Sequence, residues 1–309
     1  FVWHCLTFRP QIIHLQGAQH PALYILLWAM LRLMGSASFV YTPQDVLPNS
    51  LRPYHIRAFR FLYARMRHVF LNAKQNEPLV IEHFAVPRDR ITVLPIADLT
   101  AFVREHVAGE PPDIPAASRV VLCFGLIEPR KGIHTLLSAA PEVLRQVPEA
   151  LLLIVGKPLM DIAPLQRQLT DLGLQERVRL VPQYVSFAQM AGYFTAARML
   201  VLPYENGWNS GVLASAFGFG KPVIATRVGG FDEVVSDEST GLLVPPKDPV
   251  ALAQAIVRLL RDDALYARMV TNVRQAAVEI SWESIARTTE ARYADVVGIG
   301  VDCAVSQAR

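Results

Sequence analysis

The segment that decides the fold spans residues 199–235 and reads MLVLPYENGWNSGVLASAFGFGKPVIATRVGGFDEVV. It opens on an apolar run, passes through a loop that contains Gly207, Ser210 and Gly211, and continues from Val212 with a helical pattern. A strand, a glycine loop and a helix start together direct backbone N–H groups and the positive end of the helix dipole at one point. The segment therefore predicts a binding site for an anion such as phosphate, although a purely structural turn would use the same residues.

A second segment, VVLCFGLIEPRKGIHTLL at residues 120–137, repeats this arrangement. Its apolar run ends at Gly125, and Arg130 and Lys131 close the loop before the next helical pattern. Two cations at the end of such a loop are suited to neutralising a diphosphate. Two phosphate-binding loops in one domain predict a donor that carries a nucleoside diphosphate.

The whole chain alternates between short apolar runs and helical stretches. The runs are rich in Val, Ile and Leu and show no polar alternation, as parallel strands buried on both faces require. Repeated βα units of this kind predict doubly wound α/β sheets with helices on both sides. The runs lie at residues 12–15, 39–42, 69–71, 91–94, 120–124, 151–155, 178–181, 199–202, 222–226 and 241–244.

Clusters of Pro and Gly residues predict where the chain divides into domains. We predict a first domain at 1–106, a proline-dense linker at 107–118, a second domain at 119–280, and a helix and tail at 281–309. The first domain contains four of the apolar runs and the second contains six. Because the chain opens on Phe1 without a methionine or a signal peptide pattern, we expect the first domain to lack its start.

Composition narrows the class of protein. With 52% hydrophobic and 18% charged residues among 309, the chain is too apolar to be disordered. Its most apolar stretch is about half the ~20 residues that a membrane-spanning helix needs. The three cysteines form no CxxC pair and the histidines form no HExxH pattern, so we expect a reduced, cytoplasmic protein without a metal or a cofactor.

Two apparent nucleotide motifs are excluded. GFGK at residues 218–221 resembles the end of a phosphate-binding P-loop, but Pro222 stands where a Ser or Thr would have to bind magnesium. No GxGxxG follows the first strand of the second domain, which argues against a dinucleotide dehydrogenase.

The ordered run of motifs resembles the family-4 retaining glycosyltransferases. The second half carries the likeness through VVLCFGLIEPRKGIHTLL, LVLPY, SGVL, AFGFGKPVIAT, VGG, EVV and TGLLVPP. The first half resembles the family less strongly, through RPQIIHLQ, VYTPQDVLP, RHVFLNA and FAVPRDRITVLPIAD. The resemblance implies the GT-B fold, in which two Rossmann-like domains have parallel sheets facing across a cleft, here with the first domain incomplete.

The resemblance also implies an activity. A hexose would move from a UDP- or GDP-sugar to a hydroxyl acceptor in glycan, polysaccharide or glycolipid synthesis, without a metal. The catalytic residues would be Lys131, which stabilises the leaving diphosphate, with Gln44 and Asp45 facing the sugar or the acceptor. Tyr184 would lie beside the base, although it could equally be a packing residue. The substrate-binding residues implied are Gly125, Arg130, Tyr184, Val185, Asn209, Ser210, Gly211, Val212 and Ser215.

Several positions depart from the family pattern. The arginine that follows the loop glycine in the family is here Leu126, and the glutamate pair falls on Gly207 and Ser215. The histidine of the acceptor-side loop is here Gln44. These departures motivate an alternative, a non-catalytic partner that binds a nucleotide sugar. A third candidate, an epimerase on the same fold, would need more acidic or histidine side chains than the sequence offers.

The basic residues are unevenly distributed. Residues 1–106 carry 11 Lys and Arg against 6 Asp and Glu, and residues 107–309 carry 19 against 21. The segment from Leu51 to His68 contains five arginines, no acid and several aromatic residues, which predicts an anionic membrane surface as a partner and a peripheral location on its inner face. Alternatively, its apolar side packs on the sheet and its arginines stay solvated. No nucleic acid partner is expected.

Overall fold

The computed structural model describes residues 2–17, 21–34, 37–44, 46, 53–98, 100, 113–115, 117–207 and 210–298. The chain divides into two compact units. Unit 1 comprises Phe1–Pro95 with Glu283–Arg309, and unit 2 comprises Ile96–Trp282. Most of the predicted linker lies outside the described residues, so the domain boundaries given above stay a prediction.

Unit 1 contains a four-stranded parallel sheet in the order β1-β2-β3-β4. Helices connect its strands as the alternating pattern predicts. The elements are α1 (Val2–Phe8), β1 (Ile12–Gln16), α2 (Pro21–Met34), β2 (Ser38–Thr42), α3 (Pro53–Arg65), β3 (His68–Leu71), α4 (Asn76–Phe84) and β4 (Ile91–Val93).

Helix α3 packs its apolar side into the core of unit 1. Phe59, Leu62, Tyr63 and Met66 are all buried there. Arg57 on the same helix is exposed. The aromatic residues of the segment from Leu51 to His68 are thus mainly core residues, while its described arginines remain in solvent.

Unit 2 contains a six-stranded parallel sheet in the order β10-β9-β8-β5-β6-β7. A last helix, α12 (Trp282–Val297), follows unit 2 in the chain and belongs to unit 1 from Glu283 onward. The elements are β5 (Arg119–Phe124), α5 (Ile133–Gln146), β6 (Ala150–Val155), α6 (Ala163–Asp171), β7 (Val178–Val181), α7 (Phe187–Ala196), β8 (Met199–Leu202), α8 (Gly211–Gly218), β9 (Val223–Thr226), α9 (Phe231–Val234), β10 (Gly241–Val244), α10 (Pro249–Arg261) and α11 (Asp263–Glu279).

The strand order of unit 2 reverses between β5 and β8. The chain runs outward from β5 through β6 to β7, then returns so that β8 pairs with β5 on its other side. The helices that follow β5 and β8 therefore pack on opposite faces of the sheet, and open α/β sheets bind ligands at the carboxyl ends of strands at such a switch point. Both glycine loops singled out in the sequence lie at this point.

The predicted α/β fold with two parallel-sheet units is confirmed. In the described residues, each of the ten apolar runs forms a strand, because burial on both faces selects such runs. The GFGK segment ends α8 and leads into β9, and Lys221 Nζ donates a hydrogen bond to the Thr195 carbonyl at 2.9 Å. Among the described helices, none combines the length and apolar character needed to cross a bilayer.

Candidate functional site

The loops that follow β5 and β8 are locked together by backbone contacts. Gly132 has φ 63°, and a Cβ added to it would lie 1.9 Å from the Pro203 carbonyl oxygen. The Glu205 amide donates a hydrogen bond to the Arg130 carbonyl at 2.8 Å. A side chain at position 132 is therefore excluded by both sterics and backbone conformation. The two loops form one structural piece.

The first turn of α8 completes this piece. A Cβ at Gly125 would lie 3.3 Å from Val212 Cγ2, which places the β5 loop directly against this turn. Ser210 precedes the helix in an extended conformation, and its hydroxyl makes no capping hydrogen bond. By contrast, the Ser186 hydroxyl caps α7. The Ser210 side chain therefore does not occupy the first N–H groups of α8, which is the arrangement that an anion-binding helix start requires.

Lys131 lies beneath this turn and is only 8% exposed. Its Nζ donates a hydrogen bond to the Tyr204 hydroxyl at 2.5 Å and lies 3.8 Å from the centroid of the Tyr204 ring. The Tyr204 and Ser210 hydroxyl oxygens are 3.2 Å apart. A chain of polar contacts thus joins the lysine of one loop to the residue that precedes α8.

Burial makes the Lys131 charge costly. Desolvation, and secondarily the nearby Arg130 charge, lower the pKa of Lys131 to about 8. The neighbouring Cys123 supplies no compensating anion, because burial raises the pKa of its thiol to about 12. A buried cation without an anionic partner is unfavourable, and binding an anion relieves that cost.

Both carboxylates of these loops are already paired with other cations. Glu128 lies 2.7 Å from the Arg130 guanidinium. Glu205 lies 3.0 Å from His134 and 3.1 Å from Lys247. Within the part of the chain that the structure describes, no carboxylate forms an ion pair with the buried lysine. The charge of Lys131 is therefore not balanced by either carboxylate of these loops.

The positions that depart from the family pattern also lie here. Ser215 is fully buried, and its hydroxyl donates to the Gly211 carbonyl at 2.7 Å within α8. A Cβ at Gly207 would lie 3.3 Å from Arg130 Nη1, so the guanidinium occupies the space beside this glycine. Leu126 is 45% exposed. An arginine therefore borders the position at which the family carries an acid.

Most of the predicted phosphate-binding residues are brought together. The structure joins Gly125, Arg130 and Lys131 from one loop to Ser210, Gly211 and Val212 from the other, as described above. It does not test whether they bind a ligand, so their roles stay predictions. Tyr204 links them but was not predicted as a site residue, because its partner Lys131 is 73 positions away in the chain.

The remaining predicted residues lie elsewhere. Tyr184 and Val185 follow β7, which β6 separates from β5. Tyr184 is 73% exposed, so the packing alternative for it is wrong, whereas Val185 packs against the core. Gln44 is an exposed residue that follows β2 in unit 1. Asp45 and Asn209 lie outside the described residues.

The fold places the chain in a known class. A structure of HepE from Anabaena in complex with UDP matches it with a TM-score of 0.79 at 20% identity, over 95% of this chain and 80% of that one. Sucrose-phosphate synthase from Thermosynechococcus elongatus matches with a TM-score of 0.73 at 25% identity, over 96% and 76%. The two parallel-sheet units have the GT-B fold of glycosyltransferases. Within unit 2, residues 118–262 match the family described as glycosyl transferases group 1.

Two curated relatives match part of this chain. Phosphatidyl-myo-inositol mannosyltransferase of Mycobacterium leprae is 36% identical over 188 residues, which cover 60% of this chain and 49% of the relative. D-inositol 3-phosphate glycosyltransferase of Nocardioides sp. is 35% identical over 190 residues, which cover 57% and 41%. The chain spans about half the length of the curated relatives it matches.

Proposed function

We propose that the protein is a retaining, family-4 glycosyltransferase that moves a hexose from a UDP- or GDP-sugar to a hydroxyl acceptor. The observation that carries this proposal is the buried, anion-free Lys131 beside the first turn of α8, at the switch point of the unit 2 sheet. A diphosphate fits this arrangement, because it supplies the missing charge and accepts hydrogen bonds from the helix N–H groups. The UDP bound to HepE, which shares the fold, is consistent with such a donor.

The chemistry follows from these donors. The acceptor oxygen forms a bond to the anomeric carbon while the bond from that carbon to the diphosphate breaks. The acceptor proton leaves with the diphosphate. Negative charge therefore grows on the diphosphate oxygens, where Lys131, Arg130 and the N–H groups of Gly211 and Val212 stabilise it. Fixed donors aimed at developing charge commonly provide the largest part of catalysis.

A transfer in which cations and N–H groups stabilise the leaving diphosphate requires no carboxylate nucleophile. Attack on the face that the diphosphate leaves retains the anomeric configuration. The two cationic side chains take the charge-neutralising role, so we propose a metal-independent transfer. Gln44 and Asp45 of unit 1 are assigned to the sugar or acceptor, and Tyr184 with the Val185 backbone to the base.

The acceptor is proposed to be a glycan or a lipid-linked polyol. The names of two relatives include phosphatidyl-myo-inositol and inositol 3-phosphate, both of which present hydroxyl groups beside a phosphate.

The exposed Arg57 of α3 is suited to an anionic surface, and we propose that the protein acts on the cytoplasmic face of a membrane. Helix α2 also exposes three leucines, Leu23, Leu26 and Leu33, and exposed apolar side chains favour contact with a membrane.

A second candidate is a non-catalytic protein that binds the nucleotide sugar. Two observations support this candidate. Glu128 and Glu205 are both paired with cations, and Ser215, which stands at the position of a family glutamate, is buried within α8. Neither carboxylate of these two loops is therefore free to hold sugar hydroxyls. Binding would survive in such a protein, whereas transfer would not.

A donor screen separates the two candidates. The protein is incubated with UDP- and GDP-hexoses, with and without phosphoinositol-type acceptors, and release of UDP or GDP is followed. Acceptor-dependent release from one donor is the expected result. Binding without release would favour the second candidate. Failure to bind any nucleotide or nucleotide sugar would contradict both.

A further inference from the structure

Tyr204 is held rigidly in the middle of the site. It is 1% exposed, and its ring packs against Phe231 with centroids 5.2 Å apart. The Thr226 hydroxyl donates a hydrogen bond to the Tyr204 carbonyl at 2.6 Å. Both the backbone and the ring of this tyrosine are therefore fixed before any ligand binds.

The Tyr204 hydroxyl accepts a hydrogen bond from Lys131 and can donate one to Ser210. Lys131 can only donate while it is charged, so the Tyr204 oxygen accepts from it. Burial raises the pKa of Tyr204, so the phenol keeps its proton. The Tyr204 and Ser210 hydroxyl oxygens are 3.2 Å apart, and either hydroxyl can be the donor. When the phenol donates, the Ser210 hydroxyl retains its own proton for an outside acceptor.

We propose that Tyr204 is a positioning residue, whose hydroxyl fixes the Lys131 ammonium and the Ser210 hydroxyl as two donors for the same anion. This rests on the proposed function, in which that anion is the diphosphate of the donor. Tyr204 acts through the two other residues and is not assigned a contact with the ligand. The polarised chain Lys131–Tyr204–Ser210 makes the two loops respond together to a bound charge.

Packing alone does not account for the hydroxyl. The ring by itself would supply the contacts with Phe231 and with the lysine charge. A phenylalanine would do the same without burying a polar oxygen. Tyr63 in unit 1 provides the contrast, since its buried hydroxyl has no hydrogen-bond partner among the residues that the structure describes. It also provides a matched control for the loss of a buried hydroxyl.

Tyr204→Phe tests the proposal by removing the oxygen and keeping the ring. Loss of an acceptor disfavours the ammonium, so the pKa of Lys131 should fall by about one unit, read from its ¹³C side-chain NMR signal without ligand. The groups facing Lys131 other than Tyr204, namely Cys123, Glu128 and Arg130, are unchanged in this variant. Affinity for UDP, GDP or pyrophosphate, measured by calorimetry, should fall by about tenfold.

Two control variants separate positioning from general damage. Ser210→Ala should weaken the binding of the same probes by about threefold while the Lys131 titration stays in place. Tyr63→Phe should change neither. An unchanged Lys131 titration in Tyr204→Phe would overturn the positioning role. If the wild type bound none of UDP, GDP and pyrophosphate, the proposed function itself would fail.

Discussion

The most buried basic side chains at the two ends of the unit 2 sheet differ in their partners, because those at the amino ends pair with carboxylates and the one at the carboxyl ends does not. At the amino ends of the strands, the Arg119 guanidinium lies 3.4 Å from Glu149 and 3.3 Å from Asp263. Arg198 also pairs with Asp263 and lies 3.9 Å from the Tyr266 ring centroid. These contacts attach α11 to the sheet.

The carboxyl ends show the opposite arrangement. There, Lys131 is more deeply buried than either arginine, yet its described partners are a phenol and no carboxylate. Where the chain supplies the anion, the cation stabilises the fold. Where the chain supplies no carboxylate, the cation is available to a ligand, and burial of the unpaired charge lowers the stability of the fold.

The largest expected effect comes from removing that cation. Lys131→Met preserves most of the buried volume, so it avoids the cavity that alanine would leave. UDP or GDP affinity should fall by about 100-fold, equivalent to ~2.7 kcal/mol. The free energy of unfolding should stay the same or rise, because an unpaired buried charge is lost. Calorimetry and urea unfolding measure the two quantities.

The matched change at the amino ends of the unit 2 strands is Arg198→Met. Loss of its ion pair and ring contact should lower the free energy of unfolding by about 1–2 kcal/mol. Nucleotide affinity should not change. If Lys131→Met destabilised the fold as Arg198→Met does and left nucleotide binding intact, the contrast between the two ends would be wrong.

The next effect depends on pH. Because the pKa of Lys131 is about 8, its ammonium is lost as the pH rises through this value. Nucleotide affinity should therefore fall above pH 8, by up to about tenfold per pH unit. Stability should move the other way. Between pH 8 and 10.5 the unfolded chain binds more protons at this lysine, so its contribution to the free energy of unfolding rises.

Lys131→Arg is the control for this pH dependence. A guanidinium stays charged throughout the range, so the affinity of this variant should be flat between pH 7.5 and about 9.5. Calorimetric titrations of UDP at a series of pH values would show the difference. The same decline in both proteins would assign it to another group.

Unit 1 offers a third kind of basic residue, which is exposed and has no ion pair with any described residue. Arg57 of α3 is exposed, and an arginine at an anionic surface contributes enough to change binding by about fivefold. Arg57→Gln should weaken sedimentation with anionic vesicles by that factor, and added salt should weaken it in the wild type. Arg167→Gln, the same charge change on exposed α6, should have no effect. Equal binding to neutral vesicles would contradict the proposed surface.

The smallest expected effect comes from adding a cation to the site. Leu126 is exposed and follows Gly125, so Leu126→Arg fits without repacking and should strengthen UDP binding by about threefold. Leu172→Arg, at a similarly exposed leucine after α6, is the matched control. Ser215→Glu is not equivalent, because it would bury a carboxylate inside α8 and destabilise the unit.

The strands and both glycine loops could be predicted from the sequence because each is a local pattern. Apolar runs without alternation specify buried strands, and a glycine before a helix start specifies a donor-rich loop. The pairings within the site could not be predicted. Tyr204 closes the apolar run LVLPY and has the pattern of a core residue until the fold brings it to Lys131.

The same limit applies to the acidic residues and to α3. Glu205 stands near the position of a family glutamate, but its pairing with His134 and Lys247 arises from two helix starts distant in sequence. In α3, composition indicates a basic aromatic helix, while only the sheet determines that Phe59 and Tyr63 face inward. Long-range packing therefore determines which side chains remain available.

The contact between Gly132 and the Pro203 carbonyl bears on how this chain can be recombined with others. A loop grafted alone from another chain of this fold would meet a neighbour shaped for the original loop, and any side chain at position 132 would collide with it. Chimeras should exchange the segments after β5 and β8 as a set. Under the proposed function, the two segments together would determine the preference for a donor.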